Sequence, residues 1–351
     1  WKSVRGGRWL RNACRQMRRM IRRDRNHPCI ILWGLGNESR KRKPYLALTD
    51  IVRELDPARA TIYAENHIYR GRREHTLEIP DVFGVNYEMK RLDEARDVSR
   101  NGAVLVSECA SWPTPRGDRE AEVGQIHHIR NAWDTIGNRP FVAGFTLWCF
   151  ADYPTLRKQR YTRYSGITDA WRVPKPGAWL MKATYDPNPF VKVIADWGRD
   201  GPARRRVLVF TNCGDVQLGD GERLAGSRWY DREIEFVDAP LRVESTEDPG
   251  IVDVVEPWSK AAGLRLARQG PFLCVRAVDN SGVCDQSYAG AVALNADPPE
   301  ALCAHRPGNT IDLAGGIGRV CCRPDVSPFQ VHASADGLTP ATLVWDPAIG
   351  T

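Results

Sequence analysis

Hydrophobic and polar positions follow two rhythms along this chain, and the change from one to the other falls near residue 187. Over residues 8–25, Leu10, Cys14, Met17 and Ile21 recur at helical spacing, while Arg11, Arg15, Arg18 and Arg22 line another face. Short apolar runs then alternate with amphipathic helices. Cys29-Ile30-Ile31-Leu32-Trp33 predicts a strand buried on both faces. A helix follows with Leu48, Ile51, Val52 and Leu55 on one side, then strands over 60–64 and 81–85 and a helix over 91–99. A fourth strand falls at 104–106. A longer helix carries Val123, Ile126, Ile129, Trp133 and Ile136, and a fifth strand covers 141–148. Strands alternating with helices at this spacing predict a parallel sheet.

The second rhythm starts after Asp186-Pro187-Asn188-Pro189, a turn-rich linker. Short alternating runs such as Val207-Leu208-Val209-Phe210 and Leu273-Cys274-Val275-Arg276-Ala277-Val278 are separated by Gly, Asp, Asn and Pro, which predicts a β-sandwich. A compositional break at Ala296-Asp297-Pro298-Pro299 marks a further β-rich segment. The expected domains are therefore 1–187, 188–296 and 297–351.

Polar residues at the strand ends narrow the first part. Its strands run into Asn37-Glu38, Glu65-Asn66-His67, Asn86-Tyr87 and Ser107-Glu108, and the fifth into Trp148 and Asp152. Functional groups at the C-terminal ends of successive parallel strands are the habit of a (β/α)₈ barrel. No glycine-rich phosphate loop follows any strand, which argues against a nucleotide-binding sheet.

Composition changes this picture little. The chain has 351 residues, 42% apolar and 26% charged, enough to bury a substantial core in two or three domains. No apolar run is long enough for a membrane helix. The opening residues have no apolar core of the kind a signal peptide carries. A formal net charge of +7 admits nucleic acid as a partner. The basic helix at 8–25 reads better as a solvated outer helix, because its apolar stripe needs something to pack on. The ten cysteines form no C-x-x-C pair, so zinc ribbons and thioredoxin-like motifs are unsupported, and the vicinal Cys321-Cys322 reads as buried thiols. His127-His128 are adjacent on a helix and point different ways, so no metal site is read there.

The most specific stretch is Arg23-Asp24-Arg25-Asn26-His27-Pro28-Cys29-Ile30-Ile31-Leu32-Trp33-Gly34-Leu35-Gly36-Asn37-Glu38-Ser39. It closely resembles the acid/base signature of glycoside hydrolase family 2. The resemblance puts the proton donor on Glu38 and the sugar 2-hydroxyl contact on Asn37. Val104-Leu105-Val106-Ser107-Glu108 resembles the nucleophile strand, with Glu108 as nucleophile. Asp81-Val82-Phe83-Gly84-Val85-Asn86-Tyr87 resembles the strand before it, whose Tyr87 would hydrogen-bond that nucleophile. Residues 144–153 resemble the last barrel strand, with Trp148 as the floor of the sugar site and Asp152 as a further match. His67 ends a strand and is a weaker candidate. Cleavage with retention needs two such carboxyls about 5–5.5 Å apart, one to protonate the leaving oxygen and one to attack the anomeric carbon.

The resemblance implies a TIM barrel of which strands four to eight are present, followed by Ig-like β-sandwich modules. It implies a β-linked glycoside or oligosaccharide as substrate, a β-galactoside by default, and no cofactor. Some members bind divalent ions near the acid/base, but no ligand cluster shows here. It gives no reason to expect nucleic acid or membrane as partner. β-Glucuronidases carry an Asn-x-Lys pair where this chain has Arg163-Tyr164-Ser165-Gly166, which disfavours a glucuronide, although Arg163 or Arg157 offers a charge for an acidic sugar. The chain opens in what resembles the helix after the third strand. It therefore reads as a fragment of a longer coding sequence. The alternative function is an inactive fragment or a non-catalytic carbohydrate-binding protein.

Overall fold

A computed structural model describes residues 7–39, 41–137, 139–155, 162–219, 221–303, 309–326 and 328–346. They fall into two compact units: residues up to 112 together with 127–150, and residues 113–126 together with 151 onward.

The first unit is a parallel sheet of five strands in sequence order: β1 (Leu32–Asn37), β2 (Ala60–Glu65), β3 (Val82–Asn86), β4 (Val104–Cys109) and β5 (Val142–Leu147). Its helices are α1 (Gly7–Asp24), α2 (Arg42–Leu55), the short α3 (Ile68–Arg73), α4 (Leu92–Val98) and the last turns of α5 (Arg119–Gly137). One face of the sheet, with Trp33, Leu35, Tyr63, Phe83, Val85, Val104 and Val106, packs on Met17, Ile21, Tyr45, Leu48, Ile51, Val52 and Leu92. Burying each large apolar side chain of this kind is worth about 1.5–3 kcal/mol. The α1 stripe covers α2, as its spacing predicts, and Arg18 reaches across to Glu54 at 2.6 Å.

The first strand departs from the expectation. It begins at Leu32, not Cys29, and burial alternates along it instead of covering both faces. Ile31 is 76% exposed. Pro28 has no N–H to give to a ladder. Residues 27–30 close a turn through Ile30 N–H to the His27 carbonyl, and the Arg59 guanidinium takes the Ile30 carbonyl at 2.7 Å. Pairing with β2 can only start beyond them, at Leu32 opposite Ala60.

The second unit holds a small hairpin, β6 (Tyr153–Pro154) with β7 (Thr162–Arg163), and then α6 (Pro176–Tyr185). A first sandwich follows: β8 (Val191–Ala195), β9 (Arg204–Thr211), β10 (Asp215–Leu218), β11 (Glu222–Ala225), β12 (Trp229–Glu235), β13 (Leu241–Ser245) and β14 (Val252–Val255). Its sheets, ordered β12-β9-β8 and β11-β10-β13-β14, share a core of Val193, Val209, Tyr230, Val216, Leu218 and Val243. A second sandwich contains β15 (Gly263–Gln269), β16 (Phe272–Val278), β17 (Gly290–Asp297), β18 (Leu302–Cys303), β19 (Thr310–Leu313), β20 (Ile317–Cys322), β21 (Phe329–Ser334) and β22 (Ala341–Trp345). It has its own core between sheets β15-β16-β20-β18 and β19-β17-β21-β22. The expected break at 296 thus falls at the end of β17, inside this second sandwich. A Pro-Pro step ends a strand as readily as it ends a domain, because neither proline can donate to a ladder.

Candidate functional site

In the first unit the C-terminal ends of β1, β3 and β4 carry Asn37-Glu38, Asn86-Tyr87 and Glu108. Asn86 is fully buried and joins them. Its amide nitrogen donates to Asn37 Oδ1 and to Glu38 Oε1, each at 2.9 Å, and its Oδ1 accepts the Ser107 hydroxyl at 2.7 Å. Tyr87 holds Glu108 twice: its phenol donates to Oε2 at 2.5 Å and its N–H to the Glu108 carbonyl at 2.8 Å. Gly84 on β3 makes this closeness possible. A β-carbon there would sit 2.8 Å from Ser107 Oγ and 3.0 Å from Ala64 Cα.

The backbone is strained at these ends. Glu38 has φ +49°, Tyr87 +64° and Ala110 +56°, all in the left-handed region without being glycine. Each such residue costs about 1–3 kcal/mol and persists only where its surroundings enforce it. The Glu38 N–H is pinned by the Ala64 carbonyl at 2.9 Å. Ser39 shares a hydroxyl hydrogen bond with Tyr45. Tyr45 packs against Tyr63 with the rings tilted by 41° and their centroids 4.1 Å apart, and Tyr63 donates to the fully buried Glu65 at 2.7 Å. Glu65 also accepts the N–H groups of Asn66 and His67, at 2.9 and 3.0 Å, and so fixes the turn after β2.

Burial pushes the Glu108 carboxyl above the ordinary carboxylate range. The Tyr87 hydrogen bond opposes this, the nearby Glu38 charge reinforces it, and bonds from Asn37 and Asn86 pull back. Two carboxyl side chains, one phenol and two amides therefore meet at one end of a parallel sheet. Trp148 is anchored beside them in sequence order, its N–H on the Cys109 carbonyl at 2.9 Å, just before a cis peptide to Cys149.

Two candidates have other work. His67 faces Glu88, Nδ1 to Oε1 at 3.7 Å, while Glu88 also accepts the Ile68 N–H. Asp152 lies in the second unit and is 5% exposed. Its Oδ1 takes the Gly166 N–H at 2.9 Å and the Lys175 ammonium at 2.8 Å, and Lys175 also donates to the Thr114 carbonyl. A β-carbon on Gly166 would meet backbone atoms of Asp152, Ala151 and Thr168 at 2.2–2.4 Å, so only glycine fits. Nearby, Arg116 pairs with Asp169 at 2.9 Å. The segment 166–176 is thus tied down by buried bonds at Gly166 and Lys175. The Arg163 guanidinium bonds the Ser165 hydroxyl at 2.9 Å, and Arg157 lies outside the described residues.

Asn86, Ser107 and Glu65 complete the arrangement; the sequence marked them as polar residues at strand ends but assigned them no role. The only signal for them was that position, one or two residues from a candidate that was chosen.

Parallel strands presenting paired carboxylates at their C-terminal ends are the arrangement expected of a TIM-barrel glycoside hydrolase site. Residues 2–103 match the family model for glycosyl hydrolases family 2, TIM barrel domain. This match and the likeness to known relatives support membership of glycoside hydrolase family 2. The chain is 28% identical over 243 residues to a β-galactosidase of Thermoanaerobacterium thermosulfurigenes, covering 64% of this chain and 33% of that enzyme. It is 23% identical over 359 residues to a β-glucuronidase of Formosa agariphila, covering 85% and 35%. A β-glycosidase from Bacteroides vulgatus shares the fold with a TM-score of 0.75 at 16% identity, over 95% of this chain and 53% of that one. The chain therefore spans about a third of the sequence relatives and about half of the solved one.

Proposed function

We propose that the protein is a retaining, exo-acting β-glycosidase, with Glu38 as general acid/base, Glu108 as nucleophile and β-galactosides as substrates. One observation carries the reading: Tyr87 clamps Glu108 while Asn86 bonds Glu38, on neighbouring strand ends whose backbone is held in the left-handed region. Glu108 attacks the anomeric carbon as Glu38 protonates the departing oxygen, which leaves a glycosyl ester on Glu108. Esterification removes the like charge that faces Glu38. Glu38 then takes a proton from water, and the hydroxide frees the sugar with its configuration retained. Asn37 presents a polar edge to the sugar 2-hydroxyl, and the Trp148 face suits the apolar C–H side of a pyranose.

The galactoside assignment rests on the missing Asn-x-Lys pair before Gly166 and on the β-galactosidases among the relatives. The test is a panel of aryl β-glycosides that includes β-galactoside and β-glucuronide, with Glu108→Gln and Glu38→Gln alongside. The expected result is turnover of the galactoside, loss of roughly 10³-fold or more in Glu108→Gln, and azide rescue of Glu38→Gln on substrates with activated leaving groups. A 2-fluoro-glycoside should label Glu108 covalently. Turnover that persists in Glu108→Gln, or a label on another residue, would sink the assignment. Preference for the glucuronide would overturn the sugar alone.

A further inference from the structure

We propose that Cys303 and Cys321 form a dithiol that small-molecule disulfides oxidise to a cross-strand disulfide. The two residues lie directly opposite one another in the antiparallel pair β18–β20. Two residues away, the Arg323 N–H donates to the Ala301 carbonyl at 2.9 Å, so that pair is of the hydrogen-bonded kind. Pair types alternate along an antiparallel ladder. Cys303 and Cys321 are therefore also a hydrogen-bonded pair, with Cα atoms about 5.5 Å apart. A disulfide needs roughly 4.4–6.8 Å, most often about 5.5–6 Å. The side chains share one face of the sheet, because Leu302 and Cys322 between them point into the core.

The two thiols differ in a way that suits sequential exchange. Cys303 is exposed on the edge strand, whereas Cys321 is half-buried. Burial, and after it the neighbouring Cys303, push the Cys321 thiol above its ordinary range. Cys303 as thiolate attacks one sulfur of oxidised glutathione, forming a mixed disulfide and releasing one glutathione thiolate, which is then protonated. Cys321, losing its proton, attacks the Cys303 sulfur and releases the second glutathione. The protein gives up two electrons and two protons, and the oxidant becomes two thiols. Cys322, adjacent in sequence, is buried with its thiol pushed up to about 12, and does not compete. The new bond ties the two-residue edge strand to β20 and closes the chain between them, which stabilises the second sandwich by restricting its unfolded state.

The experiment is incubation of the chain with oxidised glutathione, alkylation of remaining thiols, intact mass and disulfide mapping, followed by thermal melting. The expected result is loss of two hydrogen masses, a peptide linking Cys303 to Cys321, and a higher melting temperature in the oxidised form. Cys303→Ser and Cys321→Ser should each abolish the link, and Cys29→Ser, which removes the other exposed thiol, should leave it unchanged. A stable glutathione adduct on Cys303 with Cys321 still alkylated would overturn the proposal. So would a Cys321–Cys322 bond, or a bond between two chains.

Discussion

Glu108 in the first unit and Asp152 in the second both follow an apolar strand, and burial pushes both carboxyls above the ordinary range. Their surroundings differ. Asp152 is closed off: one oxygen carries a backbone N–H and an ammonium, and Lys175 is itself fully buried and also bonded to the Thr114 carbonyl. Glu108 is only partly covered, and the phenol that holds it belongs to a residue 40% exposed. Burial alone therefore does not separate a working carboxylate from a structural one. On the roles proposed above, what separates them is whether the donors around the carboxyl leave it open to a reactant, and whether the backbone beside it is strained.

The largest effect that tests this contrast is on stability. Replacing Asp152 by Ala strands the fully buried Lys175 ammonium without its carboxylate. Removing one partner of a buried pair costs about 3–5 kcal/mol. Denaturant unfolding should show the midpoint of Asp152→Ala falling far below that of Glu108→Gln, which stays near wild type. If Asp152→Ala unfolds like wild type and loses sugar affinity instead, Asp152 belongs to the substrate site and the contrast fails.

Asn86 tests the other side. Its amide bonds both Asn37 and Glu38, and its oxygen accepts the hydroxyl of Ser107 on β4. Asn86→Ala releases the acid/base from its position. A misplacement of about 1 Å costs on the order of 10²-fold, so kcat on an unactivated glycoside should fall by roughly that factor. The loss should shrink on substrates whose leaving group needs no proton. An equal loss on both would mean that Asn86 supports the sheet and not the acid.

These residues also mark how far the sequence could be read. Residues 23–39 were legible because seventeen successive positions carry one pattern, and the polar residues after each strand pointed to the face where Glu38, Tyr87 and Glu108 meet. The start of β1 was not legible. An apolar run shows which residues avoid water, but not that Arg59, distant in sequence, takes the Ile30 carbonyl. The role of Asn86 was hidden for a related reason, since one asparagine at a strand end reads as a turn former and its bonds to Asn37, Glu38 and Ser107 depend on register. The sequence left Asp152 between a substrate contact and a structural group, because a buried ion pair and a binding carboxylate leave the same one-letter trace. The second sandwich was divided at 296 because prolines that end β17 look like a linker.

The smallest and most specific test is the pH dependence of Tyr87→Phe. The phenol bond favours the ionised form of Glu108, against burial and the Glu38 charge, which disfavour it. Removing the hydroxyl removes a lowering influence, so the Glu108 carboxyl rises further. Attack needs the carboxylate, and at a given acidic pH less of it is then present. The acid limb of kcat/KM should therefore move to higher pH, while the plateau falls only modestly. Linkage gives the same sign. A folded carboxyl raised above its unfolded value contributes stability that is complete below the unfolded value and is lost as pH rises through the folded one. In Tyr87→Phe that loss should extend to higher pH than in the parent chain. An acid limb that stays in place, or moves to lower pH, would mean that a group other than Glu108 titrates there, and the phenol–carboxylate contact would then be a structural bond of the kind that holds Asp152.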